Sequence, residues 1–105
     1  MSAELSNGFG ILIGAISAGT AVGVSSWNAA HTKDRPHGEE RLAVALRAGL
    51  PAAVGALGTV MAGPAIMDWC TARGAPLLGG AMFGALAGSA LIGTAALLSY
   101  GVAGI

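Results

Sequence analysis

The chain has 105 residues, 54% of them hydrophobic and 10% charged, with five basic against five acidic side chains and a mean hydropathy of +0.73. Soluble domains carry roughly 25% charged residues, and so few charges cannot wet a globule this small, whose surface is large relative to its core. The even charge balance excludes a nucleic-acid footprint, which needs a basic face, and a polybasic lipid anchor; a single cysteine, Cys70, excludes an intrachain disulfide.

The apolar residues must then face lipid or other hydrophobic subunits. Their kind is informative. There are 18 Gly but only two Trp, two Phe and one Tyr. No G-X-Y period is present, which excludes collagen. Small residues inside apolar stretches are typical of membrane helices that approach backbone to backbone. The expected fold class is therefore all-α: a single membrane domain over residues 1–105, with three transmembrane helices packed through small-xxx-small (GxxxG) faces. Strand-like alternation is absent, which argues against a barrel.

The first apolar element spans about 8–27 and holds no charge. Its length meets the roughly 20 residues needed to cross about 30 Å of hydrocarbon. Gly10/Gly14 and Gly19/Gly23 are both GxxxG pairs, and residues four apart share a helix face. Glu4 is the wrong sign for a signal-peptide n-region, and Trp27-Asn28-Ala29-Ala30 is a poor cleavage site. The element is expected to be a retained helix, with Trp27 as an interface anchor.

A polar loop over 28–41 follows and carries most of the charges. Asp34-Arg35-Pro36 and Gly38 are turn signals. Lys33, Arg35 and Arg41 give this loop the basic bias that sets orientation. The loop is expected on the cytoplasmic or equivalent side, with the N-terminus outside and the C-terminus inside. Glu39 and Glu40 suit the first turn of the next helix, where the dipole favours acid.

The second apolar element spans about 42–67. Arg47, near its start, can snorkel to the headgroups as an interface anchor. Gly55, Thr59 and Gly63 repeat the four-residue spacing. Pro51 and Pro64 are candidate bends. A short loop over 68–75 reads DWCTARGA and supplies a third anchor, Trp69. The last element spans about 76–103 and opens on Pro76, whose missing N–H costs nothing in a first turn. Gly80, Gly84 and Gly88 form a continuous GxxxGxxxG, with Gly93 beyond it, and Tyr100 is the fourth anchor.

Ionisable groups inside a membrane would imply ion or proton transfer. None lies in 8–27, 48–67 or 76–105. The hydroxyls of Ser17, Thr20, Ser25, Thr59, Ser89 and Thr94 are expected to bond back to helix carbonyls or across a helix seam. His31 and His37 share the first loop with Asp34, Glu39 and Glu40, but their spacing matches no metal-ligand pattern. Asp68 and Cys70 belong to the opposite end. No nucleophile–base pair, phosphate loop or paired carboxylates occur, so no catalytic residue, metal or cofactor is expected and the chain is not read as an enzyme.

A glycine-patterned helix, a polar loop containing Arg35-Pro36 and a second apolar helix together resemble the hairpin of rotary-ATPase proteolipid subunits. The likeness covers roughly the first half of the chain. It departs from that family in having no acid between Arg41 and Met67 to carry a coupling ion, and in having a third helix. The expected function is a non-catalytic small membrane subunit that stabilises a larger energy-transducing or transport complex. Its partners would be lipids and other transmembrane subunits, a hetero-complex being favoured over a homo-oligomer. The alternative is self-assembly as a proteolipid-like ring, a conjugative-pilin-like filament or a holin-like pore.

Overall fold

Helix α1 runs Ala3–Ala30 in a computed structural model that describes residues 2–31 and 39–102. Its start is set by Ser2, which sits in an extended conformation and accepts from the Leu5 N–H at 3.2 Å. That bond satisfies one of the donors a helix start leaves open, and Glu4 in the first turn complements the dipole. No proline interrupts the helix before His31, whose N–H donates to Trp27 O at 3.0 Å. At 1.5 Å per residue α1 is about 42 Å long. It exceeds the expected 8–27 at both ends, since nothing in residues 3–7 or 28–30 breaks a helix already nucleated.

Helix α2 covers Glu39–Met61 and contains Pro51 without ending there. The expected single element over 42–67 is instead two helices, with α3 spanning Gly63–Ala72. The break falls at Ala62. Pro64 cannot donate to Val60 O and crowds it; here, unlike at Pro51, the helix restarts, with Pro64 in the new first turn where its missing N–H is harmless. Ala62 joins the two, its N–H donating to Gly58 O and its own carbonyl accepting from Ile66 N–H, both at 2.9 Å. The expected loop over 68–75 shortens accordingly, because Asp68–Ala72 are helical. Only Arg73, Gly74 and Ala75 turn the chain. Gly74 has φ +80°, a left-handed conformation that glycine adopts freely. It lets Ala75 N–H donate back to Cys70 O at 2.8 Å, as at many helix ends.

Helix α4 runs Pro76–Ala96 and continues as a π-helical segment, Leu97–Val102. Three helical stretches are long and apolar enough to cross a membrane: Glu4–Ala30, Leu42–Met61 and Pro76–Tyr100. The molecule is a slender bundle of 51 × 22 × 18 Å. Contacts climb both α1 and α4 in step, from Asn7 against Gly80 to Ala15 against Gly88, so these two helices are parallel. α2 and α3 descend antiparallel to α4, from Ala48 beside Gly93 to Cys70 beside Gly79. Helix α4 touches all the others and is the centre of the bundle.

The interior is made of small side chains and the exterior of large ones. Among the described residues the buried hydrophobic ones are Val22, Ala29, Val44, Ala48, Ala52, Cys70 and Ala96, none of them larger than valine. Leu12, Ile16, Leu57, Val60, Met61 and Leu91 are all exposed, Val60 by 80%. Exposed apolar surface this continuous is abnormal for a monomer in water. It is the arrangement expected where the surroundings are themselves apolar and close backbone approach provides the attraction.

Candidate functional site

The glycines singled out from spacing do not all meet the same kind of neighbour. A Cβ at Gly10 would lie 2.7 Å from Ala81 N and closer still to Leu77 O; one at Gly14 would lie 2.8 Å from Ala85 N and closer to Ala81 O. The return contacts come from α4. Cβ atoms at Gly80, Gly84 and Gly88 would run into the backbone of Asn7, Ile11 and Ala15, respectively. Along this stretch each helix leaves a groove that only the other's backbone fills.

Higher on α1 the contact changes. A Cβ at Gly19 or Gly23 would meet the Ile92 side chain, at 3.0 and 3.5 Å. Ile92 thus stands between the helices as a wedge. An outward-opening crevice remains there, floored by Gly19 and Gly88.

Helix α4 does not keep Gly93 on the face shared by Gly80, Gly84 and Gly88. At about 100° per residue, the five-residue step from Gly88 to Gly93 turns about 140° away from the first stripe. Gly93 accordingly faces α2, where its Cβ would lie 2.6 Å from Ala48 O. On α2, Gly55 abuts Leu86 O and lies 2.7 Å, by its would-be Cβ, from Ala90 N. Thr59 donates to Gly55 O at 2.6 Å. Gly63 lies beyond the helix break, against the Phe83 ring. Most of the glycines therefore serve contacts within the chain, which leaves less small-residue surface for outside partners than spacing alone suggests.

Sequence reasoning missed Gly79, which is buried against Cys70 and Met67 of α3. No four-residue partner flags it, since Gly79 lies one position off the stripe. It also missed Ser26, which is fully buried with its hydroxyl unpartnered. Asn7 Oδ1 and Thr71 Oγ1 are likewise buried without a partner. Of the hydroxyls expected to bond back, Thr94 does so, to Ala90 O at 2.7 Å, as does Thr59.

The anchors gather at the two ends of the bundle. Trp27 and His31 stack with centroids 4.3 Å apart, His31 Nδ1 lies 2.8 Å from Trp27 O, and Tyr100 meets His31 edge-on. Ala29, Val44, Ala48 and Ala96 form a buried layer at this end, which puts the adjacent, exposed Arg47 at its level. At the other end Arg73 lies over the Trp69 ring, 4.2 Å from its centroid. Trp69 neighbours Cys70, which meets Gly79, and the next residue of α4, Gly80, meets Asn7. The two aromatic ends are thus separated by the length of helix from Asn7 to Trp27, about 30 Å at 1.5 Å per residue.

Arg41 lies in α2, whereas Lys33, Arg35, Asp34 and His37 lie outside the described residues. Among the described residues no three His, Cys, Asp or Glu side chains come together as a metal site. No protein-family model, curated protein or solved structure matches the chain.

Proposed function

We propose that the chain is a non-catalytic small membrane subunit that packs within a larger membrane complex and stabilises it. The observation that carries this reading is the inverted packing: small residues inside, leucine, isoleucine, valine and methionine outside, on helices whose only Asp, Glu, Lys, Arg or His between the level of Asn7 and that of Trp27 are Arg47 and Asp68, one at each edge. Such a body offers shape and apolar surface but no group to bind or move a polar solute. The 30 Å between its aromatic ends equals the thickness of a bilayer's hydrocarbon. Trp27, Tyr100 and Arg47 would then lie at one interface and Trp69 at the other. The basic loop containing Lys33, Arg35 and Arg41 would be cytoplasmic, with the N-terminus outside. The GxxxG contacts would act as the rigid internal scaffold that holds the outer surface in shape.

The test is extraction of the native assembly in mild detergent followed by native mass spectrometry. A fixed stoichiometry with unlike transmembrane subunits supports the proposal, and a partner-free monomer refutes it. A second reading, self-assembly, is favoured by the crevice at Gly19 and by Gly8, whose would-be Cβ meets nothing within 4 Å. In the same experiment it requires masses at integer multiples of one chain.

A further inference from the structure

The helix break at Ala62 and the turn at Gly74 leave a groove between α3 and the first turns of α4. It has a volume of about 360 Å³, at the lower end of the range of about 300–1,000 Å³ typical of small-ligand sites. Ala62, Ala65, Ile66, Trp69, Cys70, Leu78 and Met82 line it, and none of them offers a carboxylate, amide or hydroxyl. Apart from the Cys70 thiol and the Trp69 indole N–H the lining is apolar. One end is different. Trp69 forms its rim and is exposed, and the Arg73 guanidinium, itself exposed, lies over the Trp69 ring. Arg73 is the one basic side chain among the described residues at this end of the bundle; Glu4 and Asp68, both exposed, lie at the same end, and neither forms an ion pair with Arg73. The contact is a cation–π one, and among the described residues no hydrogen bond or ion pair occupies the guanidinium's N–H groups. Their planar fork matches the oxygens of a phosphate in a bidentate fashion.

We infer that this groove seats one acyl chain of an anionic phospholipid, whose phosphate engages Arg73 at the Trp69 rim. Two features on one edge select this occupant. The apolar trough runs along the helices, as an acyl chain does, and the cation sits at the aromatic end, where a headgroup lies. A zwitterionic lipid fits the trough equally well but brings its own cation beside Arg73. A peptide helix is too wide for a trough of this volume and gains nothing from a lone arginine. The inference rests on the membrane location proposed above.

The experiment uses the full chain carrying Trp27→Phe, so that Trp69 is the only tryptophan. The protein is reconstituted in phosphatidylcholine bilayers containing a minor fraction of either brominated phosphatidylglycerol or brominated phosphatidylcholine, and quenching of Trp69 emission is compared. The expected preference for phosphatidylglycerol is about fivefold, from the attraction of one basic residue to an anionic headgroup. Arg73→Gln should bring the ratio to one while both lipids still quench. Ala65→Phe, at an exposed position that lines the trough, should also bring it to one with Arg73 intact. Equal quenching by both lipids in the parent overturns the site and leaves the membrane location standing. Quenching by neither overturns both. A preference that survives Arg73→Gln removes the phosphate contact, and one that survives Ala65→Phe removes the acyl seat.

Discussion

Replacing Gly84 by alanine adds one methyl at the centre of the α1–α4 contact. That methyl would lie 2.7 Å from both the carbonyl carbon and the Cα of Ile11, and closer to its carbonyl oxygen. Ordinary carbon–carbon contact is about 3.5–4.0 Å, so α1 must retreat by about 1 Å. No rotamer relieves the clash, because every atom met is backbone. A gap of 0.5–1 Å forfeits a quarter to a half of each dispersion contact along the seam, and overpacking of this kind costs about 1–3 kcal/mol. Alanine returns up to about 1 kcal/mol in helix propensity. A net loss of about 1–2 kcal/mol is expected for Gly84→Ala. Gly8→Ala, which meets nothing within 4 Å, should be neutral or stabilised by up to about 1 kcal/mol from the same propensity term. The assay is equilibrium unfolding in mixed micelles titrated with a denaturing detergent, followed by tryptophan emission. Wild-type stability in Gly84→Ala, or an equal loss in Gly8→Ala, would refute the close-approach argument.

On α2 the same logic separates two neighbouring glycines. Gly55→Ala meets the backbone of Leu86 and Ala90, whereas Gly58→Ala meets the mobile end of the Leu86 side chain at 2.8 Å. The first should lose about 1–2 kcal/mol net of the same propensity gain and the second should stay within about 1 kcal/mol of wild type once Leu86 turns aside, measured in the same titration. Cys70 is 2% exposed, so a maleimide should label it slowly in the folded protein and fully after denaturation; fast labelling in mild detergent would mean that α3 does not stay docked on α4. For orientation, single cysteines at Lys33→Cys and Arg73→Cys in a Cys70→Ser background should react with an impermeant maleimide from opposite sides of sealed vesicles, and labelling from one side would contradict the proposed topology.

How the helix contacts divide among partners could be read only partly from spacing. The four-residue repeats at Gly10/Gly14 and at Gly80/Gly84/Gly88 lie on straight faces, and the structure sets these two faces against each other. Gly19/Gly23 repeats the same spacing yet meets chiefly the Ile92 side chain, because spacing describes one helix and the filling of its groove depends on the residue opposite. Gly79 and Ser26 carry no periodic signal; Gly79 is buried by α3 folding back on α4 across the turn at Gly74, which spacing along one helix does not describe. The ends of the elements failed where propensity and hydropathy disagree. Asp68–Ala72 are polar enough to leave an apolar window, but nothing in them stops a helix, and α3 runs on until Gly74 turns it.

Composition and hydropathy by themselves determine that the chain is helical with three membrane-length apolar stretches, because twenty uncharged residues have few other ways to satisfy their backbone. They also determine that no ionisable group lies deep within those stretches. Tertiary structure alone decides that α1 pairs in parallel with α4, that α4 turns glycines toward three different helices, and that the break at Ala62 opens a trough ending under Arg73. Those features depend on which backbone meets which, a matter of about 1 Å across surfaces that are nearly uniform in chemistry. A sequence of small apolar residues marks where close approach is possible; the geometry of the neighbouring helix selects where it occurs.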